Sequence, residues 1–507
     1  MRLLLLSIIA LITININSQT ITFGGNISIN TIWSADTVKI IDDVIIDNQV
    51  ILTIDEGTYV EFTNHYMIYV QGTILANGTE NENIIFTSSD TTGFNNELDI
   101  AGSWYGIKFI NTDVRNDSSK LSYCKIQYVK DITYQDSIKP SGAITIDNFS
   151  KLIINNCIIS NNKVENEFAY LGKGGAVAMF ENSNPVIKNN IFISNIVSGS
   201  GGAIYCEKSN PRINSNIFYN NIAGDNIEGC GGAIMFNYCD VNYTHDTIIS
   251  LISNNLLYNN SSYEGGAIYC NCSSANYFNN TVCNNNSSFG GGLYSKKSHP
   301  FNINSIFYNN IATEGSQVYI NHDASVCTPG NDPHFVNCDL LGGVSSIKVR
   351  NDEYFGGRYE NNLDISPLFV DEIANNYKLQ NISPIINNGK ADSLSFEIPL
   401  YDLAGNTRIF NDTIDVGAYE NHHVTRVGKI NNDFSFTIYP NPTSNYITIE
   451  TKKNSKVEIL NSIGKQISSI SKVYNKITIN LSSYPRGIYF VKISSKLGVS
   501  TKKIVLE

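Results

Sequence analysis

Between Ser141 and Tyr319 the apolar residues alternate with polar or small ones; they do not recur at every third or fourth position. Ile144 shares a side with Ile146, Val177 with Met179, Ile204 with Cys206, Ile234 with Phe236, and Ile268 with Cys270. A period of two is that of a β-strand. One phrase opens each such segment: Ser-Gly-Ala-Ile at 141–144, Gly-Gly-Ala-Val at 174–177, Gly-Gly-Ala-Ile at 201–204, 231–234 and 265–268, Gly-Gly-Gly-Leu at 290–293, and Gly-Ser-Gln-Val at 315–318. Successive copies lie 25 to 34 residues apart. Self-similarity at that period marks stacked supersecondary units. A unit of this length holds two or three short strands, and stacking sets each strand about 4.8 Å from its copy in the next coil. The pattern therefore predicts an all-β parallel β-helix.

A second phrase follows each copy and ends in a pair: Asn161-Asn162, Ser194-Asn195, Asn220-Asn221, Asn259-Asn260, Asn285-Asn286 and Asn309-Asn310. An Asn side chain both donates and accepts, and Asn tolerates the left-handed backbone of a sharp corner. Asn162, Asn195, Asn221, Asn260, Asn286 and Asn310 are therefore expected to pile into an amide ladder, a known support for stacked parallel strands. Upstream, residues 19–140 continue the alternation more loosely, with Val50, Leu52 and Ile54, then Val60 and Phe62, then Ile68 and Val70 facing inward.

Composition narrows the function. Net charge is −11 and only 16% of residues are charged. An acidic surface is not drawn to nucleic acid or to an anionic membrane. Met1-Arg2 followed by apolar Leu3–Ile12, with small Ser18 before Gln19, reads as a secretory signal peptide over 1–18. The apolar run is too short to anchor the chain, and no later stretch qualifies as a transmembrane segment. Of the ten cysteines, Cys239 could bridge to Cys270 or Cys272 on an adjacent coil, and Cys327 to Cys338. Buried thiols acting as small hydrophobes are the alternative for the inward Cys206 and Cys270.

Several segments carry resemblances. Gly72-Thr-Ile-Leu-Ala-Asn-Gly-Thr, Ile84-Ile-Phe-Thr-Ser and Trp104-Tyr-Gly-Ile-Lys-Phe resemble the opening coils of secreted bacterial right-handed β-helix proteins. The Gly-Gly-Ala-Ile-Tyr and Asn-Asn coils resemble the pectate-lyase-like superfamily and the polymorphic outer-membrane repeats. These matches cover roughly 20–345 and imply a single-stranded right-handed parallel β-helix; one fold hosts many activities. Asp364-Ile-Ser-Pro-Leu-Phe-Val-Asp, Ser383-Pro-Ile-Ile-Asn-Asn-Gly, Asp402-Leu-Ala-Gly-Asn-Thr-Arg and Asp415-Val-Gly-Ala-Tyr-Glu resemble the closing segment of "choice-of-anchor" surface proteins. That resemblance implies that 346–420 form the last coils and a cap over the open end. A polar linker, 421–433, follows. In 434–507, Tyr439-Pro-Asn-Pro, Gly464, Gly487-Ile-Tyr-Phe-Val and Lys502-Lys-Ile-Val-Leu match, in order, the type A sorting domain of the type IX secretion system. Its strand pattern predicts a small β-sandwich. The resemblance implies export across the outer membrane, with the secretion machinery as a partner and the cell surface or medium as the destination.

Candidate chemistry is sparse. The outward positions of the glycine-led strands are Thr145, Ala178, Tyr205, Met235, Tyr269, Tyr294 and Tyr319. Stacked Tyr205, Tyr269, Tyr294 and Tyr319 would suit sugar rings lying along a groove; ring stacking that only supports the sheet explains them equally well. Lys188 and Arg212, outward on adjacent coils, are the basic pair from which a uronate lyase would draw its base. Asp402, Asp415 and Glu420 could gather around calcium, or serve as turn-forming and edge charges; no other cofactor is indicated. Three functions stand open: a monomeric surface protein binding polysaccharide or mediating adhesion, a polysaccharide lyase or hydrolase, and a structural spacer.

Overall fold

The computed structural model describes residues 19–133, 141–166, 171–224, 228–239, 250–322, 332–391, 398–422, 436–462, 464–495 and 498–507. The signal peptide, most of the linker, and Cys327 lie outside the described residues. The chain forms two compact units, Met1–His422 and His423–Glu507.

The first unit is a parallel β-helix. Its repeating coil carries four strands where two or three were expected. In one coil they are Val177–Phe180, Val186–Lys188, Ile191–Ile193 and Ile196–Val197. Each pairs in parallel with its copies above and below: Val177 with Ile144 and Ile204, Ile187 with Ile154 and Ile213, Phe192 with Ile159 and Phe218, Ile196 with Lys163 and Ile222. The extra strand is the two-residue Ile196–Val197, too short to register as alternation in the sequence. The second strands build a 12-stranded sheet and the fourth strands a 7-stranded one. The first and third strands merge into one larger sheet because Thr37–Ile46 pairs with Tyr59–Phe62 through one half and with Met67–Val70 through the other.

The alternation fills the interior. Phe192 stacks on Phe218 at 4.7 Å, and Phe62 on Trp104 at 4.0 Å, all fully buried. Burial of these side chains is the main drive for stacking. The paired glycines that open each coil have two separate reasons. The first, as at Gly201 (φ +73°), takes a left-handed conformation. The second allows contact between coils: a Cβ on Gly202 would sit 2.0 Å from the Gly232 carbonyl oxygen.

The amide ladder exists, with one change of member. Asn162, Asn195, Asn221, Asn260, Asn285 and Asn310 form it, each Nδ2 donating to the next Oδ1 at 2.9–3.0 Å. Asn286, the expected member, is exposed and begins the next strand. The left-handed residue of that corner is Asn284 (φ 56°), so the working pair is Asn284-Asn285. Three consecutive asparagines left the register open by one. A second ladder, not anticipated, runs along the preceding corner through Cys124, Cys157, Asn190, Asn216, Asn255, Asn280, Ser305, Cys338 and Asn362. Each takes the backbone N–H of the member before it. Cysteine joins this ladder because a thiol, like an amide, both donates and accepts: Cys157 Sγ donates to the Leu121 carbonyl as Asn190 Nδ2 does to that of Ile154.

The β-helix ends with Ile347–Val349 stacked on Val318–Asn321 and Tyr359–Glu360 stacked on His334–Val336. Beyond it the chain packs along the flank, where a cap over the last coil was expected. Phe369, Tyr377, Leu379, Ile385 and Val416 bury against the outward faces of Leu256, Tyr258, Cys283 and Ile306. This strap is tied to the left-handed corner asparagines of successive coils: Asn254 Nδ2 donates to the Tyr401 carbonyl (2.7 Å), Asn279 to that of Asp415 (3.0 Å), and Asn304 to that of Lys390 (3.1 Å). Main-chain carbonyls in an irregular segment need donors, and the coil corners supply one per coil.

The second unit is a five-stranded antiparallel sheet of Phe436–Tyr439, Tyr446–Asn461, Gln466–Asn480, Gly487–Ser495 and Gly498–Leu506. Two predicted strands, one at Tyr446 and one at Val457, are halves of the single strand Tyr446–Asn461. Register shifts after Thr451 and Ser455 divide it, and only its second half pairs with Gly487–Ser495. Ile447, Ile449, Val457, Ile459, Val491 and Ile504 form its core.

Candidate functional site: a groove beside the strap

The tyrosine column is aligned as expected. Tyr269 stacks on Tyr294 at 4.7 Å, and Tyr294 on Tyr319 at 5.1 Å. It is not an open surface, because Tyr205, Tyr269, Tyr294 and Tyr319 are all buried, at 3–5% exposure. Phe289 lies edge-on to Tyr319, and the Lys173 ammonium sits over the Tyr205 ring. The hydroxyls are engaged: Tyr205 donates to Glu207 at 2.5 Å, and Tyr294 accepts from Asn321 at 3.0 Å. Burial pushes the Tyr205 and Tyr269 hydroxyls well above the ordinary tyrosine value, and neighbouring carboxylates, Glu207 and Glu264 among them, add to it. Burial would also raise Glu207, but bonds from Tyr205, Lys173 and Asn237 outweigh it and leave its pKa below the usual value. Toward the N-terminal coils the same column passes through Lys108, which the sequence reading missed. Its buried ammonium donates to the carbonyls of Ser141 and Gly142 and to Thr145, and pairs with Asp131 at 3.6 Å. Every donor is matched, so it ties neighbouring coils together.

Asp402, Asp415 and Glu420 do gather, buried, around Arg408. Arg408 Nε lies 3.3 Å from Glu420, and Nη2 donates to the Gly417 carbonyl. Asp402 accepts from the backbone N–H groups of Ala404, Asn406 and Glu420, and Asp415 from those of Asn387 and Asn421. The oxygens that calcium would require are thus committed to the chain's own N–H groups and to a guanidinium. Burial pushes the Glu420 carboxyl up to about 8; Arg408 opposes this and Asp415 adds to it. The cluster braces the hairpin that pairs Tyr401 with Thr407.

That hairpin walls a groove of about 800 Å³. On the coil side lie Lys188, Asn189, Asn214 and Ser215; on the strap side lie Leu400 and Tyr401. Leu400 is 78% exposed and Tyr401 59%. Asn189 and Ser215 occupy the same left-handed corner position as Asn254, Asn279 and Asn304. The groove is therefore the continuation of the row to which the strap is tied. Lys188 and Arg212 both point outward, but in different rows: Lys188 aligns with Asn214, and Arg212 with Val186. Only Lys188 lines the groove. Sequence reasoning missed Tyr401 because nothing local signals where the strap lies.

The fold defines a parallel β-helix protein with a separate C-terminal antiparallel domain. Residues 437–507 match the family described as secretion system C-terminal sorting domain. The protein is secreted across the outer membrane by the type IX system, to the cell surface or the extracellular space. Residues 190–207, which hold one corner of each ladder and the glycine-led strand after them, are similar to the Chlamydia polymorphic membrane protein repeat. No curated protein matches the chain. Among the described residues, no helix is long and apolar enough to cross a membrane.

Proposed function

We propose that this protein binds polysaccharide at the groove between the coil corners and the strap, without cleaving it. The observation that carries the reading is that exposed Tyr401 lines the same groove as Lys188 and the amides of Asn189 and Asn214. An aromatic face takes the apolar side of a sugar ring, amides pair with hydroxyls, and a lysine ammonium neutralises a uronate. The strap, an extended chain with one acceptor per coil on the same row, supports a long, acceptor-rich polymer as the occupant. The buried tyrosine column supports the sheet beneath.

The full chain is tested by pull-down and calorimetry against uronic-acid polysaccharides. Tyr401→Ala and Lys188→Ala each weaken binding about tenfold, while Tyr269→Phe leaves it unchanged. Binding unaffected by Tyr401→Ala overturns the site. Accumulation of unsaturated product, read by ultraviolet absorbance and lost with Lys188→Ala, replaces binding with lyase chemistry.

A further inference from the structure

The cysteine pairings expected from sequence are not formed. Cys239, Cys270 and Cys338 are thiols, as are Cys124, Cys157, Cys206, Cys230 and Cys283; Cys272 is disulfide-bonded. Cys270 Sγ instead contacts the Tyr277 hydroxyl at 3.2 Å. A different pair is brought together. Cys206 lies on the inward side of Ile204–Glu207, and Cys239 follows the corner residue Tyr238, in left-handed conformation (φ 53°), at the end of the next coil's first strand. Their sulfurs are 3.3 Å apart, and both side chains are fully buried.

We propose that Cys206 and Cys239 are joined by a disulfide in the secreted protein. A disulfide needs its sulfurs at about 2.05 Å, so the thiols must close by little more than an ångström. Cys239 stands in a column of corner serines. Ser183, Ser273 and Ser298 hold the equivalent corner position, and their hydroxyls receive the backbone N–H of the preceding coil at 2.9–3.3 Å. Cys239 gives its own backbone N–H to Ser273 in this way, and its thiol, a weak donor, contacts the carbonyls of Cys206 and Asn237 at 3.4 and 3.6 Å, so the side chain can turn toward Cys206 while the backbone stays tied. The chain passes through an oxidising compartment on its way out, where such bonds persist. In the reaction both S–H bonds break and one S–S bond forms. Two protons and two electrons pass to the disulfide of a thiol-oxidising protein, which becomes a dithiol. Both sulfurs are inaccessible once the coils have stacked, so exchange takes place during folding. The bond would tie one coil covalently to the next.

The full chain, recovered from an oxidising compartment, is denatured in excess iodoacetamide without reductant, digested, and read by mass spectrometry. The expected result is a peptide pair linked through Cys206 and Cys239, two hydrogens lighter than the reduced peptides, which separates on reduction. Cys239→Ser should make Cys206 fully alkylatable, which distinguishes this pairing from any other partner. Alkylation of both residues in the unreduced parent protein overturns the proposal. So does continued protection of Cys206 in Cys239→Ser.

Discussion

Asn285→Ala and Asn286→Ala differ by one position and should differ widely in effect. The Asn285 side chain accepts from the Asn260 backbone N–H and from Asn260 Nδ2, both at 3.0 Å. It donates to the carbonyls of Leu257 and Cys283 and to Asn310 Oδ1. Alanine leaves the buried Asn260 N–H with no acceptor, at a cost of about 1–3 kcal/mol, and removes one further accepted bond and the two N–H donors that three acceptors share, with a net worth of about 0.5–1.5 kcal/mol for each bond. Shared carbonyls and local relaxation return part of that, so about 4 kcal/mol is expected. The Asn286 side chain is exposed, and its loss should stay within about 0.5 kcal/mol. Urea unfolding of both variants, followed by circular dichroism, gives the comparison through the shift in midpoint. Equal destabilisation by the two substitutions, or a shift below about 1 kcal/mol for Asn285→Ala, refutes the ladder as the support of the corner.

Two further outcomes follow from the same stack. Burial pushes the Asp339 carboxyl up to about 7, opposed by the Ile365 N–H and helped by the Asp364 charge. The folded chain then holds a proton that the unfolded chain releases near pH 4, so stability falls as pH rises from about 4 to 7 and levels off above, by up to about 4 kcal/mol. Asp339→Asn should flatten that part of the pH–midpoint profile, and an unchanged slope removes Asp339 as its origin. Gly202→Ala must push the Gly232 carbonyl away from a contact of 2.0 Å and should cost about 3 kcal/mol or more. Gly405→Ala, with open space and only a positive φ, should cost about 1 kcal/mol. Thermal melts that rank the two the other way contradict the close-approach argument.

The coil was legible because its signal repeats: Gly-Gly, an alternating strand, then Asn, at a spacing that only stacking explains. What failed to show was whatever does not repeat in kind. The second ladder hides because Cys124, Asn190 and Ser305 do one job with three different side chains. The Asn284-Asn285-Asn286 run conceals its own register by being uniform. Outward tyrosines read as surface because their cover, Phe289 and Lys173, comes from neighbouring corners and not from the strand itself. The acidic residues of 402–420 were recognised as a group, but their centre, Arg408, drew no notice inside its turn motif. The strap's path depends on contacts such as Asn279 with Asp415, 136 residues apart, for which no local pattern exists.

The strap also sets where the rod can change length. In a stack of nearest-neighbour units, gaining or losing one coil costs little so long as the flanking copies still match. Between Ser141 and Asn214 that condition holds, and an inserted copy would simply lengthen the open groove. From Asn254 to Asn304 it does not, because the strap meets three corners at set intervals, and an added coil would pull its anchors out of step. Duplication within this gene is thus free to extend the groove, and is held in check where the strap is bound.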